Sequence, residues 1–528
     1  MSVQNNKIMD VKDAINLIKT GDCVAINGFG SLCYPEKVTK ALGEKFLEQG
    51  QPRDLSYYFG AGLGESQEGR LIDGISHEGM VRRVVASHFI KMLGLKKLAA
   101  ENKIEAYNLP YGPISHSFRA AAANQPGVLT KVGLKTFVDP RNSRGALNER
   151  STDTLAELMV IDGEEYLFYK SPKVDVAIIR GTTVDVNGNV SFEHEAFYLD
   201  PYSTAMAAKA NGGKVIVQVE RVSATASHPR TVKLPAAIID AIVVDEEQMQ
   251  TMIEKYEPAY TGEFVMSKEG IKDKHETIAQ LTSGSGKKPR ELLHKVIARR
   301  AAMELCDGAV VNLGIGVPEL VPGAAREVGA SDNMYLTIEA GLIGGTPVGG
   351  LSFGAVLNPE MCQDTASQFD LYDSGMLDIT FVGAMQVDGS GNVNVSRAGD
   401  KIIGVGGFVN LTASAKKAVF CFPFSGGGLK TEIADGKLTI HQEGIYPKFV
   451  SEVDEISASG DFRAEQGGVT IYVTERCVFE RNRDGMMLIE IAPGVDMQRD
   501  VLDQLPFTPI ISPALKEMDA RFFNEHVE

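Results

Sequence analysis

The chain is short of several things that carry familiar functions. It lacks any apolar run of membrane-spanning length, so no transmembrane helix is expected. Its start, Met1-Ser2-Val3-Gln4-Asn5-Asn6-Lys7, has no basic-then-apolar pattern of a signal peptide, and a cytoplasmic protein is expected. Positive charge is in deficit: the formal net charge is -16, which argues against nucleic-acid and anionic-membrane partners. The six cysteines (Cys23, Cys33, Cys306, Cys362, Cys421 and Cys477) form no CxxC pair and read as reduced thiols. Cys33, in a glycine-containing loop, has no histidine near it in sequence and is a poor nucleophile candidate. The nine histidines show no HExxH or other ligand spacing, so no metal is expected.

What is present indicates an α/β fold. At 528 residues the chain is too long for one ordinary core, and 44% hydrophobic with 23% charged residues is ordinary for a globular protein. Cys23 to Ile26 reads as a strand, followed by the loop Asn27 to Glu36 and a helix over 37–47. Leu55 to Phe59 is a second strand, entering Gly60-Ala61-Gly62-Leu63-Gly64. Alternation of strand, glycine loop and helix predicts largely parallel open sheets. Further strands are expected near Val174 to Ile179 and Lys214 to Val219, with a helix-like stretch at Arg119 to Ala123. The pattern breaks between Glu257 and Arg290, where Thr282-Ser283-Gly284-Ser285-Gly286-Lys287-Lys288-Pro289 reads as a linker. Arg290 to Cys306 resumes as an amphipathic helix. The resulting division is 1–280, a linker at 281–290, and 291–528.

An internal repeat supports two related domains. Val184-Asp185-Val186-Asn187-Gly188-Asn189-Val190 recurs 203 residues later as Val387-Asp388-Gly389-Ser390-Gly391-Asn392-Val393, and Asp175 falls on Asp378 at the same offset. Upstream, Gly28-Phe29-Gly30 matches Gly314-Ile315-Gly316 at an offset of 286. The first domain therefore carries roughly eighty extra residues between its blocks.

Chemistry is sought at the end of Met334-Tyr335-Leu336-Thr337-Ile338, which reads as a buried strand opening into a loop. Glu339 follows it, then Gly341, Gly344, Gly345, Gly349 and Gly350 with no other charge before Glu360. A carboxylate at the C-terminal end of such a strand lies where open α/β sheets place ligands. A strand-end glutamate also serves as a cap or an ion-pair partner. Aligning Ala61-Gly62-Leu63 with Ala340-Gly341-Leu342 sets Gly60 against Glu339, so one half offers a carboxylate where the other offers space. Two further glycine turns, Gly314-Ile315-Gly316-Val317 and Gly404-Val405-Gly406-Gly407, read either as donor loops for an anion or simply as tight turns.

Taken together, Asn312 to Pro318, Glu339-Ala340-Gly341, Gly345 to Gly350 and Gly404 to Phe408 resemble the family I coenzyme A transferases. Within these the closest type is the single-chain short-chain acyl-CoA transferases of the propionate/acetate kind. Thr136 to Arg141, Glu165 to Tyr169, Ser367-Gln368-Phe369-Asp370, Thr474 to Phe479 and Glu490 to Asp496 extend the resemblance over nearly the whole chain. It implies two open-sheet domains of the CoA-transferase type, an α-like first half and a catalytic β-like second half. It also implies Glu339 as the nucleophile of a ping-pong exchange between acyl-CoA and short-chain carboxylates (acetate, propionate, butyrate), through a glutamyl-CoA thioester. Coenzyme A enters as substrate, no cofactor is held permanently, and relatives suggest a homotetramer. Relatives often carry Ser, Thr or Asn where this chain has Ala340. Gly406 and Gly407 are expected as oxyanion donors, Gly314, Ile315, Gly316 and Val317 as contacts to CoA or the acyl group, and Gly28, Phe29 and Gly30 as a pocket in the first half. An acyl-CoA hydrolase on the same scaffold and a non-catalytic acyl-CoA or sugar-phosphate binding module are the alternatives.

Overall fold

In a computed structural model, which describes residues 7–65, 68–282, 292–399 and 401–527, each half is built on an open, mainly parallel sheet. The parallel strands of the first run Glu105–Asn108, Val81–Ala86, Leu55–Tyr58, Cys23–Ile26, Val176–Val184, Lys214–Val222, Ala241–Val244 in spatial order. Those of the second run Met334–Ile338, Ala309–Leu313, Ile379–Val382, Lys417–Cys421, Val469–Val473, after which two antiparallel strands and Ile510–Glu517 extend the edge. In both, chain order reverses beside the first strand, at Cys23–Ile26 and at Ala309–Leu313, so each sheet has a switch point at its strand C-termini. Val176–Val184 is buried along its whole length, as a central parallel strand covered on both faces must be.

The repeat holds at the level of single hydrogen bonds. Asp175 accepts from the N–H of Cys23 and Asp378 from that of Val310, each carboxylate fastening the start of the neighbouring first strand. Asp185 accepts from the N–H groups of Asn187 and Asn189, and Asp388 from those of Ser390 and Asn392. Asn189 in turn accepts from Ala236 N–H and Asn392 from Gly460 N–H. Side chains spaced to make Asx turns have thus been kept in both copies.

Several boundaries shift. The helix expected over 37–47 spans Glu36–Gln49, closed by Gly50 in the left-handed region. The helical stretch at Arg119 begins earlier, at Tyr111, and runs to Ala122. Gly112-Pro113 reads as a turn, but a proline in a first helical turn sacrifices no hydrogen bond. The break between Glu257 and Arg290 contains a helix, Lys268–Thr282, which occupies the first two positions of the expected linker; residues 283–290 lie outside the described residues. No helix among the described residues is long and apolar enough to cross a membrane.

The halves meet along the strand C-termini. His116 and Arg119 on the helix Tyr111–Ala122 pair with Asp370 at 2.8 and 2.9 Å, Arg119 also reaches Asp364 at 2.8 Å, and buried Asp200 accepts from Ala366 N–H at 3.0 Å.

Candidate active site

Glu339 sits at the tip of a tight hairpin rather than in an open loop. Ile338 pairs with Leu342 and Thr337 with Ile343, and Gly341 N–H closes on Ile338 O at 2.9 Å. Gly341 has a φ of +108°, and a Cβ there would stand 2.1 Å from Gln363 O, so the turn admits only glycine. The strand below it is less buried than its apolar run suggests, Tyr335 being 50% exposed. Asn312 donates to Thr337 O at 3.1 Å and Thr337 to Val311 O at 2.9 Å, which ties the hairpin to the first strand of the sheet. Ala340 is fully buried with Phe197, Leu199 and Leu342; here the apolar residue packs, whatever hydrogen bond a polar one would have made.

The carboxylate projects towards Gly407, whose N–H donates to Oε2 at 3.1 Å. A Cβ at Gly407 would fall 2.5 Å from Glu339 Cδ, so glycine is what lets the backbone approach. Among the described residues no hydrogen bond to Oε1 is formed, and Glu339 remains partly accessible. Burial pushes its carboxyl up to about 7, against the opposing pull of the Gly407 hydrogen bond. Tyr111 and Tyr372 face it as neutral phenols, both held above their ordinary range chiefly by burial, with the Glu339 charge adding to it. A carboxylate poised near neutrality, with one oxygen fixed and the other open, is suited to nucleophilic attack.

The remaining expected residues divide. Gly406 is not free to serve as a donor: its N–H is spent on Ser87 O at 2.7 Å, and its carbonyl accepts from Tyr111 N–H at 3.1 Å. Gly314 donates to Phe381 O at 2.7 Å, inside the sheet. Ile315, Gly316 and Val317 follow at the strand end beside Glu339, and among the described residues their N–H groups have no protein acceptor. Gly316 has a φ of +98°, Ile315 is 64% exposed, and Val317 opens a 3-10 turn. In the first half the loop is closed on itself. Phe29 N–H and O both bond to Leu32, Gly30 N–H goes to Gly62 O, and a Cβ on Gly28 would meet Leu63 at 2.8 Å. Phe29 instead contributes its ring, which contacts Phe197, Tyr111 and Phe353 at centroid distances of 5.8, 6.3 and 6.3 Å. Cys33 is buried, its thiol pushed up by burial and by Glu195, and it donates to Phe197 O.

Sequence reasoning missed Ser87, Asn108, Tyr111 and Tyr372. Tyr111 had little signal, because Gly112-Pro113 masks the helix that it opens. Ser87 had none, because it acts through its carbonyl. The alignment of the halves also moves by one residue. The ladders pair Ala25 with Tyr58 and Val311 with Leu336, which sets Ala61, not Gly60, against Glu339. Gly60 is small for another reason: a Cβ would lie 2.3 Å from the Tyr111 ring.

A family model described as coenzyme A transferase matches residues 8–245 and 294–501. The chain is 42% identical over 528 residues to caffeate CoA-transferase of Acetobacterium woodii, covering 98% of each. It is 40% identical over 518 residues to acetate CoA-transferase YdiF of Escherichia coli O157:H7, covering 98% of this chain and 95% of that one. Crystal structures of the acyl-CoA transferase YdiF from the same organism, as apoenzyme and as a thioester complex with CoA, match with TM-scores of 0.90 and 0.89 at 38% identity. They cover 99% and 98% of this chain, and 98% and 96% of theirs. With two open-sheet domains, a family model spanning both and full-length relatives that carry out the same class of reaction, this chain belongs to the coenzyme A transferase family and is a CoA-transferase.

Proposed function

We propose that the enzyme moves coenzyme A between a short-chain acyl-CoA and a free short-chain carboxylate, of the acetate, propionate and butyrate class, by a ping-pong mechanism on Glu339. Oε1 attacks the thioester carbonyl; the C–S bond breaks, CoA leaves as thiolate, and an acyl-glutamyl anhydride forms. The thiolate then attacks Cδ of Glu339, the Cδ–Oε1 bond breaks, and the acyl group leaves as a carboxylate with Oε1. The glutamyl-CoA thioester is resolved by the second acid through the same steps in reverse. Each step exchanges one anion for another and none needs a proton, which agrees with a nucleophile flanked by a backbone N–H and neutral phenols.

The observation that carries this reading is the Gly407 contact. When thiolate attacks Cδ, Oε2 becomes the oxyanion, and Gly407 N–H already stands 3.1 Å from it. The open N–H groups of Ile315, Gly316 and Val317 are the second donor set, directed to CoA or to the incoming acyl carbonyl. Enclosure between the halves limits hydrolysis of both intermediates. The relatives' names support transfer to acetate and to caffeate respectively, so the acid class is tested with both alkyl and aryl acids. A homotetramer belongs to the same proposal and is checked by light scattering on the purified protein.

The deciding experiment is intact mass after brief incubation with acetyl-CoA, followed by peptide mapping. A CoA adduct on the Glu339 peptide, discharged by propionate, is expected. Steady thiol release with no adduct would replace transfer by hydrolysis.

A further inference from the structure

One carbonyl in the first half gathers an unusual number of donors. Ser87 O accepts from Val405 N–H at 2.8 Å, from Gly406 N–H at 2.7 Å and from the Asn108 side-chain amide at 2.6 Å. Two of these donors belong to the second-half loop whose next residue, Gly407, holds the nucleophile. The third comes from the end of the strand Glu105–Asn108, in a residue with no exposed surface. Asn108 spends its other amide hydrogen on Ala86 O at 3.0 Å, while its own Oδ1 finds no partner among the described residues. An orphaned buried carbonyl is costly, and a residue that only filled space would not incur it. The orientation is also forced, because the flipped amide would set Oδ1 against two carbonyl oxygens.

We infer that Asn108 is a positioning residue for the nucleophile: by fixing Ser87 O, it holds the loop through Gly406 and so aims Gly407 N–H at Glu339. The inference rests on the reading of Glu339 as nucleophile. The connection is continuous, from Asn108 Nδ2 to Ser87 O, to Gly406 N–H, along one peptide unit to Gly407 N–H, and to Oε2. Flanking contacts brace the same loop. Phe89 N–H donates to Ile403 O at 2.7 Å and Tyr111 N–H to Gly406 O at 3.1 Å, but neither reaches Ser87 O. Asn108 touches no reacting atom; its effect is on the donor's direction. Loss of alignment at Gly407 removes the one hydrogen bond that favours the charged carboxylate, so the Glu339 carboxyl should titrate higher and attack more slowly. The groups facing that carboxyl are Tyr111, Tyr372 and the Gly407 N–H, and both phenols stay neutral over the range concerned.

Asn148 provides the comparison needed to separate positioning from folding. It also clips two carbonyls of the first half, Ala99 O at 2.8 Å and Ile104 O at 2.9 Å; its loop braces the strand of Asn108 through Ser151 and Gly145 O, but no hydrogen bond of Asn148 goes to Ser87 O or to the loop through Gly406. The experiment follows CoA-adduct formation on full-length protein in single turnovers from pH 5.5 to 8.5, for wild type, Asn108→Ala, Asn108→Asp and Asn148→Ala. Both Asn108 variants are expected to lose about tenfold or more in adduct formation and to shift its acid-side midpoint upward by about half a unit or more, with KM for acetyl-CoA changed less than about threefold. Asn148→Ala is expected to lower Tm while leaving the midpoint in place. Asn108→Asp keeps the side-chain volume and serves if the alanine protein does not fold. An unmoved midpoint in a folded Asn108 variant, or the same midpoint shift in Asn148→Ala, would overturn the inference. Failure of wild type to form the adduct would instead overturn the reading of Glu339.

Discussion

The glycine loops after Cys23–Ile26 and Ala309–Leu313 occupy the same place in two copies of one design, yet only the second has the candidate carboxylate Glu339 beside it. In the first, Phe29 and Gly30 consume their N–H groups within the loop and against Gly62. The residue that the ladders set against Glu339 is Ala61, and the protruding group is the Phe29 ring. In the second, three successive N–H groups have no acceptor among the described residues, and a carboxylate, Glu339, follows the neighbouring strand. Duplication has preserved the parts that hold strands in register and let the loop tips diverge. On the proposed reading, the first half is the wall and brace of a site whose reacting group comes from the second half. Tyr111, Phe29 and the Ser87 carbonyl all come from the first half: Tyr111 N–H and Ser87 O bond the loop through Gly406, and the Phe29 ring packs against Tyr111.

Substituting a glycine in each copy's neighbourhood should break the comparison most visibly. In Gly407→Ala the new methyl meets Glu339 Cδ at 2.5 Å and both carboxylate oxygens within 2.8 Å. These atoms end a side chain, so the fold can yield by displacing the Glu339 carboxylate. A loss of about a hundredfold or more in kcat is expected, with little change in Tm. Gly30→Ala has open space around it and a φ of +58°, so it should cost about 1 kcal/mol of stability and leave kcat near wild type. Steady-state rates and thermal melts on the two proteins decide the matter. Equal rate losses would mean that the first loop also touches substrate.

A smaller effect sharpens the same contrast through pH. Burial holds the Glu339 carboxyl at about 7 in the folded protein, above an ordinary value of 4.5. The neutral acid is therefore the form that folding favours. Its contribution is full below pH 4.5 and is lost as pH rises through 7. Above that, wild type carries a buried charge that Glu339→Gln lacks, so the variant should be more stable at pH 8 by up to about 3 kcal/mol and indistinguishable at pH 4. Denaturant unfolding at the two pH values measures this. On the proposed mechanism, activity should show the reverse dependence, rising through pH 7 as Glu339 ionises.

Much of this asymmetry was legible in the chain before its fold was known, but unevenly. Glu339 stands out as a candidate because a lone carboxylate between an apolar run and a string of glycines is unusual in composition. The repeat could be found because Asp185 and Asp388 act through side chains, so the letters themselves had to be kept. Gly406 could not be told from Gly407, since which of two adjacent N–H groups faces Glu339 depends on a contact with Ser87, over three hundred residues away. Ser87 was invisible because every residue has a carbonyl. The helix start at Tyr111 was hidden by Gly112-Pro113, whose turn character in isolation is outweighed by Asn410, which accepts from Gly112 N–H at 3.2 Å and fixes that first turn.

The least disruptive change tests whether the shared scaffold really is shared. Asp185 Oδ1 takes the N–H groups of Asn187 and Asn189 at 2.8 and 2.9 Å, and Asp388 Oδ1 those of Ser390 and Asn392 at 2.9 and 3.0 Å. Asp185 has one further acceptor role, from Ser227 N–H to Oδ2 at 3.0 Å, that no counterpart repeats on Asp388 among the described residues. Alanine at either position removes the acceptor of two turn N–H groups; the aspartates are buried while Asn187 and Ser390 are exposed, so water reaches each turn from one side and the cost should be about 1–2 kcal/mol each. The Asp185 variant should lose roughly 0.5–1 kcal/mol more, the worth of the extra bond. If the turns are scaffold alone, both proteins will keep the wild-type pH midpoint for adduct formation. A midpoint that moved only in Asp388→Ala would show that the second copy of the turn has been drawn into the site, and that divergence between the halves reaches deeper than the loop tips.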